Sequence, residues 1–165
     1  MKINLKRLKL HPRESETFHL VSDGDDEYLA EINGHFLEPI EVEISIENTG
    51  TMFVGQGHLK TMVKLPCSRC LKEFTHSIDT EFDIVLAENN EGLNLDEWFV
   101  LFHGDEADIR PEVHQAVYMA IPIVPLCKES CQGLCPVCGQ DKNIHACNCK
   151  EDNIDPRWEK LKSLQ

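Results

Sequence analysis

The sequence predicts an α+β fold: a strand-rich N-terminal antiparallel sheet, one central helix, a Cys-rich module and a short C-terminal helix. Two observations carry this prediction. Apolar and polar residues alternate through much of the first 87 positions, which is the periodicity of half-buried strands. Beyond position 107 the apolar spacing becomes helical, and six of the eight cysteines follow. We therefore expect two domains, a β domain over residues 1–107 and a helix with the Cys-rich module over residues 108–165.

The strand predictions rest on alternation and on turn residues. Residues 41–47 alternate and are followed by a turn signal at 48–50. Residues 55–57, which include two glycines, predict a second turn after a short strand. The longer predicted strands cover 59–65 and 74–86. Because two cysteines lie between these last strands, we expect both at the tip of a hairpin: Cys67 and Cys70.

The helix predictions rest on caps and prolines. Residues 87–107 are acidic and irregular, and an apolar patch at 98–102 predicts one more strand within a connecting loop. A helix is expected to begin near Asp108, which can cap it, and to end before Pro122. Its apolar residues recur at helical spacing: Val113, Val117, Ala120 and Ile121. A C-terminal helix is expected to begin at Asp155 and Pro156, with one apolar face of Trp158, Leu161 and Leu164.

The cellular compartment decides how the cysteines are interpreted. No apolar run reaches the roughly 18 residues that a membrane span needs. The first 16 residues alternate apolar and basic side chains and lack the continuous apolar segment of a secretory signal. We therefore expect a cytoplasmic protein with no membrane partner. In that reducing compartment, paired cysteines indicate metal ligands rather than disulfides.

The eight cysteines are enough for two zinc sites, because structural zinc takes four ligands in a tetrahedron. The sequence-local grouping places Cys135, Cys138, Cys147 and Cys149 in one site and Cys67, Cys70, Cys127 and Cys131 in the other. A grouping of Cys127, Cys131, Cys135 and Cys138 fits the spacing almost as well. His145 as a replacement ligand, an iron–sulfur cluster and buried free thiols remain alternatives. We expect two structural Zn²⁺ ions, with residues 127–149 forming a zinc module that cannot fold by apolar burial alone.

Charge is distributed unevenly along the chain, which carries a net charge of −13. Residues 1–13 hold five basic and no acidic residues, residues 14–112 hold 23 acidic and five basic residues, and residues 113–165 hold six of each. The acidic stretch is either a solvated surface or a docking surface for a basic partner, and it should repel phosphate backbones. Direct RNA contact would fall to basic side chains near the two ends: Lys2, Lys6, Arg7, Lys9, Arg157, Lys160 and Lys162.

No catalytic motif accompanies the cysteines. A site of four thiolates leaves no position open for water or substrate, which is typical of structural zinc. The sequence has no phosphate-cradling glycine loop and no nucleophile elbow. We therefore expect a protein that is not an enzyme and has no small-molecule substrate.

The order of motifs resembles one family. A Cys-x-Arg-Cys hairpin comes first, a helix that ends Pro-x-x-Pro-Leu-Cys follows, and the remaining cysteines precede a C-terminal Asp-Pro-Arg segment with two leucines. The residues of this pattern are Cys67, Arg69, Cys70, Pro122, Pro125, Leu126, Cys127, Cys131, Gly133, Leu134, Cys135, Pro136, Cys138, Gly139, Asn143, Cys147, Cys149, Asp155, Pro156, Arg157, Leu161 and Leu164. The pattern is similar to that of the YceD family, the large ribosomal RNA subunit accumulation proteins. One departure is Gln115, where the family pattern leads us to expect a glutamate.

The resemblance implies a process rather than a reaction. The family is bacterial and plastid, and it is implicated in the synthesis, processing or stability of large-subunit (23S) ribosomal RNA. We expect a non-catalytic zinc-binding factor in ribosome biogenesis that binds a ribosomal protein or a large-subunit assembly intermediate. The alternative is an RNA-processing enzyme or a direct RNA-binding protein that acts on the large-subunit rRNA precursor.

Overall fold

The computed structural model describes residues 1–88 and 99–149 of the 165-residue chain. These residues form a strand-rich α+β arrangement. The strands are β1 (Lys2–Asn4), β2 (Ser15–Ser22), β3 (His35–Phe36), β4 (Ile40–Asn48), β5 (Phe53–Pro66), β6 (Glu73–Glu88), β7 (Phe99–Phe102) and β8 (Glu106–Asp108). The helices are α1 (Lys6–Lys9), a 3₁₀ helix (Asp26–Ile32) and α2 (Arg110–Ala120).

The main sheet has the strand order β2-β4-β5-β6-β7, and β3 pairs with β5 beside β4. A two-stranded ribbon joins β1 to β8. The neighbours within the main sheet are antiparallel except β6 and β7, which are parallel from Val85 opposite Phe99 to Glu88 opposite Phe102. The prediction of an antiparallel sheet therefore holds from β2 to β6 and is wrong at the edge between β6 and β7. The apolar patch marked a strand, but alternation carries no information about strand direction.

Strand β4 covers the alternating residues 41–47 and buries Val42, Ile44 and Ile46 on one face, as predicted. The turn predicted at residues 55–57 was wrong, because β5 runs through it without interruption. Gly55 and Gly57 lie where side chains of neighbouring strands cross the β5 backbone. A Cβ at Gly57 would lie 2.5 Å from the Phe82 ring, so these glycines serve close packing and not a turn.

The core lies on one side of the main sheet. Helix α2 covers that side with Val113 and Val117, and the 3₁₀ helix adds Leu29. Helix α2 begins two residues after the predicted start, at Arg110. Its N-cap residue is Ile109, while Asp108 Oδ1 accepts the Arg110 N–H at 3.1 Å. The helix ends at Ala120, so Ile121 lies just outside it.

Some sequence predictions fall on residues outside the described ranges. These are the C-terminal helix from Asp155 and the basic side chains Arg157, Lys160 and Lys162. Within the described residues, no helix is long and apolar enough to cross a membrane.

Candidate metal centre

A tight hairpin tip positions the first pair of cysteines. Pro66, the last residue of β5, pairs with Glu73, the first residue of β6, so residues 67–72 form the connection between the two strands. The Cys67 N–H donates to the Lys72 carbonyl at 2.9 Å, and the Leu71 N–H donates to the Cys67 carbonyl at 2.9 Å. This turn requires a positive φ of 60° at Leu71. Cys67 and Cys70 are both buried at the hairpin tip, as the sequence predicted.

The segment after α2 brings two more cysteines to this tip. The Ser68 N–H donates to the Pro125 carbonyl at 2.9 Å, which fixes the chain beside the hairpin just before Cys127. The Sγ atoms of the resulting first group all lie within 4.8 Å of one another. The first group consists of Cys67, Cys70, Cys127 and Cys131.

The sulfur separations in the first group match those of a tetrahedral metal site. Cys67 Sγ lies 3.8 Å from Cys131 Sγ, and Cys70 Sγ lies 3.7 Å from Cys127 Sγ. Four sulfurs placed about 2.3 Å from one central ion would be about 3.8 Å apart. A disulfide would instead require about 2.05 Å. The four thiols therefore fit a metal ion at their centre.

The second group forms around a local turn. The Cys135 N–H donates to the Gln140 carbonyl at 2.8 Å, and the Gly139 N–H donates to the Cys135 carbonyl at 2.8 Å. Gly139 has a φ of 72°, which favours glycine. The four Sγ atoms again lie within 4.8 Å of one another. The second group consists of Cys135, Cys138, Cys147 and Cys149.

The structure thus brings together the sequence-local grouping, and both groups can hold a metal ion. The alternative set of Cys127, Cys131, Cys135 and Cys138 is split between the two groups. His145 is exposed and, among the described residues, belongs to neither group. Burial distinguishes the two groups, because three cysteines of the first are buried while Cys135 alone is buried in the second.

Backbone N–H groups favour the thiolate form of Cys67 in the first group. Burial opposes ionisation of Cys67, but the N–H groups of Cys127, Cys70 and Arg69 outweigh it and lower the Cys67 pKa to about 6. Burial, together with the neighbouring Cys70 and Cys131 sulfurs, raises the pKa of Cys127 to about 12. A bound cation would remove this penalty, since it supplies the positive charge that several adjacent thiolates need.

The second group shows the same division between its sulfurs. The N–H groups of Cys138 and Val137 lower the pKa of Cys135 to about 6. The adjacent Cys138 sulfur and then burial raise the pKa of Cys149 to about 12. In each group, the pKa of at least one thiol is lowered while that of another is raised. A bound cation would favour ionisation of the thiol whose pKa is raised.

A family model described as "Large ribosomal RNA subunit accumulation protein YceD" matches residues 55–165, which include all eight cysteines. The chain belongs to the YceD family. The match begins inside β5 and therefore includes the hairpin that carries the first pair of cysteines.

Curated relatives are distant in sequence. A chloroplastic "Large ribosomal RNA subunit accumulation protein YCED homolog 1" from Arabidopsis thaliana is 23% identical over 156 residues, which cover 77% of this chain and 49% of the plant protein. A homologue of the same name from Zea mays is 22% identical over 147 residues, covering 70% and 50%. An uncharacterised protein of Mycobacterium tuberculosis is 24% identical over 133 residues, covering 74% and 60%. The chain thus spans about half to three fifths of these relatives, and no solved structure matches it.

Polar side chains around the YceD cysteines tie the two groups together. The Arg69 guanidinium donates to the Cys131 carbonyl at 2.8 Å. Lys72 Nζ lies 2.8 Å from Asp141 Oδ2. Lys72 is the largest cause that lowers the Asp141 pKa to about 2, and the backbone N–H and side-chain amide of Asn143 lower it in the same direction by donating hydrogen bonds. Sequence reasoning missed the roles of Lys72 and Asp141, and the available signal was an Asp-x-Asn pattern within a loop bounded by cysteines.

Acids of this YceD chain pair with part of its basic N-terminal segment. Three of its five basic side chains form ion pairs, which lowers its capacity to act as a phosphate-binding arm. The pairs are Lys2 with Glu106 at 3.5 Å, Arg7 with Glu16 at 3.8 Å and Lys9 with Glu88 at 2.7 Å.

The face of the main sheet that points away from the core is acidic and exposed. Strand pairing places Glu43, His58 and Glu81 in one row across β4, β5 and β6. A shallow hollow of about 430 Å³ lies over this row. Its carboxylates stand on an open strand face rather than inside an enclosed cleft. The exposed acids of this open face are Glu41, Glu43, Glu47, Asp79, Glu81 and Asp83.

Proposed function

We propose that this YceD chain is a non-catalytic zinc-binding factor in ribosome biogenesis, which acts in the cytoplasm and supports the synthesis, processing or stability of large-subunit ribosomal RNA. Family membership supports the process. The observation that carries the metal part is the pair of four-cysteine groups, with sulfur separations of 3.7 and 3.8 Å in the first.

Zinc is the metal that we propose for both groups. Four thiolates suit zinc or an iron–sulfur cluster. The cysteine spacings match neither common ferredoxin pattern, and the Cys-Pro-Val-Cys-Gly run at residues 135–139 resembles a zinc knuckle. Bound zinc would supply a structural cross-link between the hairpin tip and the segment after α2. Because four protein ligands complete a tetrahedron, such sites hold a fold together and leave no position for a reacting water.

A basic protein is the partner that the charge distribution favours. Residues 14–112 hold 23 acidic and five basic residues, and six of those acids stand exposed on the open face of the sheet. Such a surface attracts basic proteins and slows the encounter with phosphate backbones. We propose that the chain binds a ribosomal protein, either free or within a large-subunit assembly intermediate. Direct contact with the rRNA precursor is the second candidate, and an RNA-processing activity is the third.

Affinity capture with and without ribonuclease tests this proposal. The tagged full chain is incubated with bacterial extract, and retained proteins and RNA are identified. We expect an identified large-subunit ribosomal protein to remain bound after ribonuclease treatment. Loss of all ribosomal components on ribonuclease treatment would favour direct RNA binding. Retention of neither ribosomal proteins nor rRNA would contradict a role in ribosome assembly.

A further inference from the structure

One side chain joins the two cysteine groups. Asn143 lies in the loop between Cys138 and Cys147, so the chain on both sides of it leads into the second group. Its Nδ2 nevertheless donates to Cys131 Sγ of the first group, with a separation of 3.5 Å. Its Oδ1 accepts the backbone N–H of Gln132 at 2.9 Å. Asn143 therefore contacts a sulfur of the first group from a loop whose two ends lead into the second.

The orientation of the Asn143 amide is fixed by Asp141. Asp141 Oδ1 accepts the Asn143 backbone N–H at 2.8 Å and the Nδ2 group at 2.7 Å. Nδ2 has two hydrogens, so it can serve the carboxylate and the sulfur at the same time. Lys72, at the hairpin tip beside Cys70, holds the other oxygen of the Asp141 carboxylate. The result is a continuous path from the hairpin through the loop to Cys131.

The loop that carries Asn143 has little packing of its own. Ile144, its large apolar residue, is 58% exposed. A backbone hydrogen bond from Lys142 to the Gly133 carbonyl, at 2.9 Å, ties the loop to the segment between the two groups. A loop with so little apolar burial depends on a cross-link for its order. The second group supplies such a cross-link when it is filled, since Cys138 and Cys147 bracket the loop.

We infer that Asn143 couples the two metal sites of this chain: filling the second group fixes the loop, orients the Asn143 amide onto Cys131 and thereby tightens metal binding by the first group. This rests on the proposed metal binding. A hydrogen bond to a ligating thiolate stabilises its charge, and loss of such an outer contact typically lowers metal affinity about 10- to 100-fold. Coupling between binding sites is reciprocal, so filling the first group tightens the second by the same factor.

A double-mutant cycle on the full chain tests this coupling, with ¹¹³Cd²⁺ as the metal. The cadmium resonance of each group is assigned through the β-protons of its cysteines, and competition with a chelator gives the affinity of each group. Cys138→Ser disables the second group, and Asn143→Ala removes the contact. We expect each variant to weaken the first group about 10- to 100-fold, and the double variant to weaken it no further than the stronger single change.

Two further variants isolate the contact itself. Asn143→Asp keeps the shape of the side chain and an oxygen for the Gln132 N–H, but it replaces the donor at Cys131 with a second acceptor. It should weaken the first group at least as much as Asn143→Ala. Asn148→Ala is the matched control, because Asn148 is an exposed asparagine between two cysteines of the second group. It should leave the metal affinity of the first group unchanged.

The outcomes separate the inference from the proposed function. Wild-type affinity of the first group in Asn143→Asp, or effects of Cys138→Ser and Asn143→Ala that multiply in the double variant, would overturn the coupling while leaving metal binding intact. Failure of the wild-type chain to bind cadmium at either group would overturn both the coupling and the proposed metal sites.

Discussion

The backbone carbonyl of Arg69 lies against Gly133, so that a Cβ on Gly133 would approach the carbonyl oxygen to 2.9 Å. The same oxygen accepts the N–H of Leu134 at 3.1 Å. Gly133 also has a φ of 72°. The segment between the two cysteine groups therefore packs directly on the hairpin tip, and this packing requires a residue without a side chain.

Gly133→Ala should destabilise the protein more than Gly139→Ala. Both glycines have a φ of 72°, so both substitutions add backbone strain of about 1 kcal/mol. The Cβ at Gly139 would meet nothing within 4 Å, whereas the Cβ at Gly133 would meet a backbone atom that cannot rotate away. The free energy of unfolding from urea titration, measured at fixed free zinc, should fall by about 1–3 kcal/mol more for Gly133→Ala. Equal losses would show that the Arg69 contact is unimportant.

Cys138→Ala should unfold residues 133–149 of the zinc module locally and spare the main sheet. The module has few large apolar side chains, so the binding free energy of its metal, on the order of 10 kcal/mol for structural zinc, is its folding free energy. Amide hydrogen exchange should show loss of protection over residues 133–149 and retained protection in β4, β5 and β6. Protection in the module equal to that of the wild type would contradict the prediction.

His114 should make the stability of the protein depend on pH. Its side chain is 2% exposed, and its ring centroid lies 4.2 Å from that of Tyr28. Burial lowers the His114 pKa below its ordinary value of 6.5. In the unfolded chain the imidazole takes up a proton near pH 6.5, while in the native protein it stays neutral to lower pH. The stability contributed by neutral His114 is therefore present above pH 6.5 and is lost as the pH falls below it.

His114→Phe is the variant that tests this dependence. Between pH 6.5 and 5, the unfolding free energy of the wild type should fall relative to that of His114→Phe, by up to about 1.4 kcal/mol per pH unit. The comparison cancels acid effects on the cysteines, which both proteins share. Parallel pH profiles for the wild type and His114→Phe would refute the assignment.

Charge reversal on the open face should weaken binding of a basic partner. Glu43→Lys with Glu81→Lys inverts the sign of two acids that flank His58 in one row. We expect at least about a tenfold loss in retention of the large-subunit protein identified by affinity capture, because repulsion replaces long-range attraction. Glu27→Lys with Glu31→Lys in the 3₁₀ helix changes the net charge equally and serves as the control. Equal losses for both pairs would indicate an effect of net charge alone.

Local signals in the sequence predicted the parts of the structure that depend on local periodicity. Alternation identified β4, and the two cysteines between long strands identified the hairpin tip. Close spacing also identified the four pairs of cysteines, but it left open how the pairs combine into groups. These features depend on neighbours in sequence, so the sequence carries them directly.

The features that were missed depend on contacts between distant residues. Gly55 and Gly57 resemble turn residues until the side chains that cross them are known. The parallel pairing of β7 depends on how the chain returns to the edge of β6. The ion pair of Lys72 with Asp141 links positions 69 residues apart, and no spacing rule connects them.

Metal content per chain tests the central proposal most directly. The full chain is purified under reducing conditions with zinc present, and zinc and protein are quantified by elemental and amino-acid analysis. Eight cysteines in two complete groups predict two zinc ions per chain. A ratio near one would show that one group is not a zinc site, and the absence of zinc or its replacement by iron would contradict the account.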